Sequence, residues 1–183
     1  MPVKEFLEQM ASRTRHAFRR EAERLIEAAG ITHEPVSLRA VVSALNLSLV
    51  AADREPFSCE AALVPLGDGH AISLRGGGSE RRRRFSIAHE IGHFVLHPAQ
   101  ARHERGGPVN EAMRAQEREA DAFAAELLMP EHLVRRAALE DGADVHRLAD
   151  RFEVSETAMS LRLRRLGLSE RQSDLLPPSR EVL

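Results

Sequence analysis

Residues 85–97 read FSIAHEIGHFVLH, an apolar run that nonetheless carries three histidines and a glutamate. Burying so many polar groups is costly unless something satisfies them. The run contains H-E-x-x-H. On a helix, His89 and His93 lie one turn apart on the same face, so their imidazoles can converge on one ion at about 2 Å. Glu90 sits one step round, able to reach a water beside that ion without binding the ion itself, as a general base would. The neighbours Ile87, Ala88, Ile91, Phe94 and Val95 are uncharged, as a helix buried beside a metal requires. Gly92 in mid-helix costs about 1 kcal/mol relative to Ala, which makes sense where another group must approach the backbone closely. His97 falls two turns from His89 and is expected as a helix cap or as a support to the ligands. A third histidine ligand would need a turn at a Gly after His93, and the following FVL offers none.

Two histidines leave a catalytic zinc site one protein ligand short, and a His₂Glu set completes it with one open position. The stretch QEREADAFAAELLMP, residues 116–130, reads as a second helix with Glu117, Ala120, Asp121, Ala124 and Leu128 on one face. Its small alanines would let it pack closely on the first helix with Glu117 aimed at the ion. Asp121, one turn on, is placed to orient a ligating imidazole from behind. Glu119 points about 200° away from Glu117, so only one of the two can face the metal, and Glu117 is favoured.

Together, RRRFSIAHEIGHFVLH (82–97) and EREADAFAAELLMP (117–130) resemble the ImmA/IrrE family of bacterial metallopeptidases, over roughly Leu38 to Leu168. The resemblance implies an α+β fold, a zincin-like metallopeptidase domain with a small antiparallel sheet packed on helices, followed by a small all-α helix-turn-helix module. It implies His89, His93 and Glu117 as ligands of Zn²⁺, with Mn²⁺ as the alternative ion in the cell, and Glu90 as catalytic base. It further implies the substrate, an Xre-type helix-turn-helix repressor whose cleavage lifts repression of a stress regulon or a mobile element. The rival expectation is a non-enzymatic, metal-stabilised regulator that binds DNA through its C-terminal helices.

Outward from the motif, a long helix is expected over residues 3–29, with Phe6, Met10, Phe18, Leu25 and Ile26 at helical spacing and Gly30 at its end. A short helix and a strand near Leu47 to Ala51 come next. CEAALVPLGDGHAISL then reads as a hairpin turning at GDG, and CEAALVP as an edge that an extended substrate could join. Ser79 is a candidate cap for the metal helix and Asn110 for the second one. The expected division is a peptidase domain over 1–142, the helix-turn-helix module over 143–168 and a tail over 169–183.

Within the module, Leu148, Phe152, Val154, Met159 and Leu163 should pack two helices together, with Ser155 capping the second and Glu153 where the turn usually has Gly. Arg162, Arg164 and Arg165 are candidate phosphate contacts. Residues 144–168 nevertheless carry five arginines against four acids, thin for a DNA-reading face, so DNA contact is not favoured. RRRR, at 81–84, reads as a solvated helix start.

The chain of 183 residues has a formal net charge of −2, which gives no global pull toward nucleic acid or acidic membranes. No apolar run reaches membrane-spanning length, and the single cysteine, Cys59, fits a reducing cytoplasm. Cys59 is read as a small strand residue rather than a metal ligand. There is no Tyr or Trp, so the donor that steadies a tetrahedral intermediate must be His, Arg or a backbone N–H, with His97, His103 and His132 as candidates.

Overall fold

The computed structural model describes residues 3–51, 61–98 and 111–168. Along them run α1 (Val3–Ala28), α2 (Leu38–Ala44), β1 (Ser48–Ala51), β2 (Ala61–Leu66), β3 (Gly69–Leu74), α3 (Glu80–Leu96), α4 (Glu111–Leu128), α5 (Glu131–Asp141), α6 (Val145–Phe152) and α7 (Glu156–Arg165). Cys59, His103, Asn110 and the tail over 169–183 lie outside the described residues, as do the side chains of Phe6 and Met10.

The architecture is α+β, with a three-stranded sheet in the order β1-β3-β2. Gly67, at φ +57°, opens the two-residue turn of the β2–β3 hairpin, a conformation that costs glycine nothing. The sheet departs from the expected antiparallel one in a single pairing, since β1 runs parallel to β3. The hairpin leaves the far edge of β3 open, and β1 joins that edge.

Helix α3 begins where Ser79 accepts a hydrogen bond from the Arg82 N–H at 3.3 Å. Behind it, Ile72, Ile87, Ala88, Ile91, Phe123, Ala124 and Leu127 form a core that is continuous with Leu148, Phe152, Met159 and Leu163 of α6 and α7. Helix α1 joins the same core through Phe18, Ala22, Leu25 and Ile26, one stripe at helical spacing.

Of the arginines at the start of α3, Arg82 is exposed as expected, whereas Arg81 and Arg84 reach other elements. Arg81 pairs with Asp150 on α6. The Arg84 side chain is only 11% exposed; its Nη1 lies 3.3 Å from Glu153 and its Nη2 donates to the Val36 carbonyl at 2.9 Å. Glu153 holds the left-handed conformation (φ +54°, ψ +45°) usual for a helix-ending glycine. Its carboxylate is thereby presented to α3.

A second clamp centres on Glu34, whose side chain is 3% exposed. Arg136 of α5 reaches it at 2.8 Å, and Arg151 of α6 reaches it at 2.5 Å while also lying 2.7 Å from Asp141. Burial pushes the Glu34 carboxyl up, but its own backbone N–H and the two guanidiniums outweigh burial and hold it below the usual carboxylate range. A pKa lower in the folded than in the unfolded chain means the folded state binds fewer protons. The contribution is therefore complete above the ordinary value of 4.5 and is lost as pH falls through the folded value. Glu34→Gln is expected to cost about 1–3 kcal/mol near neutral pH and to flatten the acid limb of stability. Urea denaturation across pH 3–7 measures both, and parallel profiles for the two proteins would refute the assignment.

Candidate metal centre

The i, i+4 spacing on α3 brings His89 and His93 to one side, with their Nε2 atoms 3.0 Å apart. Glu117 of α4 meets both, its Oε2 lying 3.2 Å from His89 Nε2 and its Oε1 3.2 Å from His93 Nε2. Behind the pair, His89 Nδ1 lies 2.9 Å from Asp121 Oδ1. A carboxylate only accepts, so His89 donates there, which leaves its Nε2 for the side it shares with His93 and Glu117. Burial draws the His89 imidazole toward a lower pKa, yet the Asp121 hydrogen bond and the charges of Glu90, Asp121 and Glu117 outweigh it and raise the value.

Two imidazole nitrogens and a carboxylate thus form a triangle of residues, the nitrogens 3.0 Å apart and each 3.2 Å from a different oxygen of Glu117. Ligands about 2.0–2.1 Å from one tetrahedral ion stand about 3.3 Å from each other. The donor set fits a divalent ion of the zinc kind in chemistry, with one ligand atom from each residue within 4.8 Å of the others. Among the described residues, His89, His93 and Glu117 are a group able to hold such an ion. The imidazoles are 15% and 12% exposed and the Glu117 side chain 53%, so the cluster opens to solvent on the α4 side.

What brings α4 so close is Gly92. A Cβ there would meet Ala120 Cα and O at 3.1 Å and the Phe123 ring at 3.3 Å, so the close approach anticipated at this glycine is that of the α4 backbone. Gly92→Ala would push α4 outward by a few tenths of an ångström and spread the triangle. Metal affinity is expected to fall by about 10–100-fold, the usual effect of disturbing what holds the ligands. Competition with a chelating dye measures this, and unchanged affinity would show that the spacing of α3 and α4 is not limiting.

Glu90, 2% exposed, turns toward the sheet, where its Oε2 accepts the Leu63 N–H at 3.0 Å. No signal in the sequence pointed to this contact. His97 caps α3, its N–H donating to the His93 carbonyl at 2.9 Å. Its Nε2 lies 3.4 Å from Glu119 without hydrogen-bond geometry, so Glu119 faces His97 and not the cluster.

Two candidates are displaced. His132 lies on α5 in a cleft with Ile26, Gly30 and Thr32, on the α1 side of the molecule, which removes it as an oxyanion donor. Arg162 is 4% exposed and its guanidinium is fully engaged, two nitrogens at 2.7 Å from Glu126 and Nε 2.9 Å from the Met129 carbonyl, so it cannot reach a phosphate. Helix periodicity could have flagged it, since Met159, Arg162 and Leu163 share a buried face. Arg164 and Arg165 are exposed.

The family model described as Peptidase_M78: IrrE N-terminal-like domain matches residues 38–164, which include the sheet, His89, His93 and Glu117, helix α6 and nearly all of α7. No curated protein matches the chain. Among solved structures, a Mycobacterium tuberculosis transcriptional regulator is similar at a TM-score of 0.61 and 22% identity, over 89% of this chain and 51% of that one. The chain spans about half the length of that protein, and at this identity the likeness speaks for the fold alone. None of the described helices is long and apolar enough to cross a membrane.

Proposed function

Because the chain belongs to the Peptidase_M78 family of IrrE N-terminal-like domains, we propose that it is a metal-dependent endopeptidase that cleaves an Xre-type helix-turn-helix repressor in the cytoplasm. The observation that carries the reading is the convergence of His89, His93 and Glu117, with a buried carboxylate, Glu90, next to His89 on α3. His89, His93 and Glu117 hold the ion, Zn²⁺ by preference and Mn²⁺ as the alternative, and Asp121 orients His89. A divalent ion in such a set supplies Lewis acidity toward a peptide carbonyl and toward water. Glu90 takes the proton of the attacking water and returns it to the leaving amine. His97, buried at the end of the same helix, is the remaining described histidine candidate for steadying the oxyanion.

The substrate assignment draws on the family. With Arg162 engaged internally, a DNA-reading role for α7 has only Arg164 and Arg165 to work with. The test is incubation of the purified protein with a helix-turn-helix repressor encoded beside it, with and without chelator. Expected are discrete cleavage products that disappear with chelator and return with added Zn²⁺. Absence of cleavage, together with DNA binding of steep salt dependence, would replace this reading with that of a metal-stabilised DNA-binding regulator.

A further inference from the structure

We propose that the main-chain N–H of Leu63 is a positioning donor for Glu90, through which the edge strand β2 sets the place of the general base; this rests on the peptidase reading above. In the hairpin, Leu66 faces Gly69 across the two-residue turn, so pairs facing outward and inward alternate down the ladder. Val64 and Ala62 then exchange hydrogen bonds with Ala71 and Ser73, while Ala61, Leu63 and Pro65 turn their backbone groups away from β3. Pro65 has no N–H to offer, which agrees with this phase. The outward N–H of Leu63 finds Glu90 Oε2 at 3.0 Å.

A glutamate has three side-chain torsions, and burial alone does not set the last of them. Tying one oxygen to a strand that is itself locked by β3 does. It fixes where the carboxylate meets a water, within the few tenths of an ångström that proton transfer tolerates. A charge-assisted bond from a backbone amide also stabilises a carboxylate that is 2% exposed. No side-chain rotamer has to be frozen for the donor, because it belongs to the chain itself.

Position 63 allows a clean removal of this donor. Since its N–H takes no part in the ladder, Leu63→Pro leaves the strand pairing intact, as Pro65 already does two residues on. Leu63→Ala trims the same side chain and keeps the N–H. Against a cleavable repressor, Leu63→Pro is expected to lower kcat by about 10–100-fold with KM within about twofold and metal content unchanged, and Leu63→Ala to stay within about threefold of the parent. Equal losses in both variants would mean the Leu63 side chain matters and not its amide. A raised KM with kcat retained would mean the amide binds the substrate chain instead. Either result overturns the proposal.

Should Leu63→Pro fail to fold by circular dichroism, the backbone ester at position 63, made by incorporating the α-hydroxy analogue of leucine, removes the same hydrogen and is read in the same way. Amide exchange separates this proposal from the peptidase reading. The Leu63 amide should exchange at least about tenfold faster in Glu90→Ala than in the parent, with Ala62 and Val64 as internal references held by the ladder. Unchanged exchange at Leu63 would sink the positioning role even if cleavage is observed. Faster exchange in a protein that cleaves nothing would leave the contact standing and fault the peptidase reading.

Discussion

Glu90→Gln is expected to abolish peptide cleavage, by about 10²–10⁴-fold in kcat, the range that a positioned acid–base group contributes, while the protein keeps its fold and its metal. The substitution conserves shape within a site that is 2% exposed, so no cavity opens. An amide oxygen can still accept the Leu63 N–H that now reaches Glu90 Oε2 at 3.0 Å. The His89, His93 and Glu117 triangle is untouched. On the proposed reading, what is lost is the capacity to take a proton from water and hand it back. Single-turnover cleavage of the repressor, beside elemental analysis of bound metal, checks both halves. Full cleavage by a metal-loaded Gln variant would end the assignment of Glu90 as the base.

Arg162→Ala is expected to cost about 3–5 kcal/mol, the usual result of removing one partner of a buried ion pair. Arg162 is 4% exposed and Glu126 13%, joined by two parallel bonds of 2.7 Å. Truncation would leave the Glu126 carboxylate and the Met129 carbonyl without the donors they have now. The bond ties α7 to the end of α4, the helix that carries Glu117, so the loss should also loosen the grouping of Glu117 with His89 and His93. Replacing both residues by apolar ones of similar size, Arg162→Met with Glu126→Leu, is expected to recover most of the stability, because it removes the stranded charge. Urea denaturation of the single and double variants measures this. A single variant within about 1 kcal/mol of the parent would show that the pair contributes little and would return Arg162 to the phosphate-contact candidates.

The helices and the hairpin were legible because each has a local grammar. Ser79 and Ser155 accept hydrogen bonds three residues ahead, at 3.3 and 3.2 Å, and Gly67 turns the chain between two apolar strands. The parallel seat of β1 was not legible, because it depends on which edge of the hairpin stays open. Arg84 and Arg162 misled for a common reason. Arginine is read as solvated by default, and only the carboxylate or carbonyl waiting on another element reverses that.

Residue order alone placed His89, His93 and Glu90, since 3.6 residues per turn converts a spacing of four into a shared face whatever surrounds the helix. It also placed Glu117 and Asp121 on one face of α4, by the same arithmetic. How far α4 stands from α3, set by the missing Cβ of Gly92 against Ala120, was decided only by tertiary packing. So were the strand amide that holds Glu90 and the burial of Arg162. Helical periodicity is a property of a single segment, whereas distances between segments arise from how their surfaces interlock.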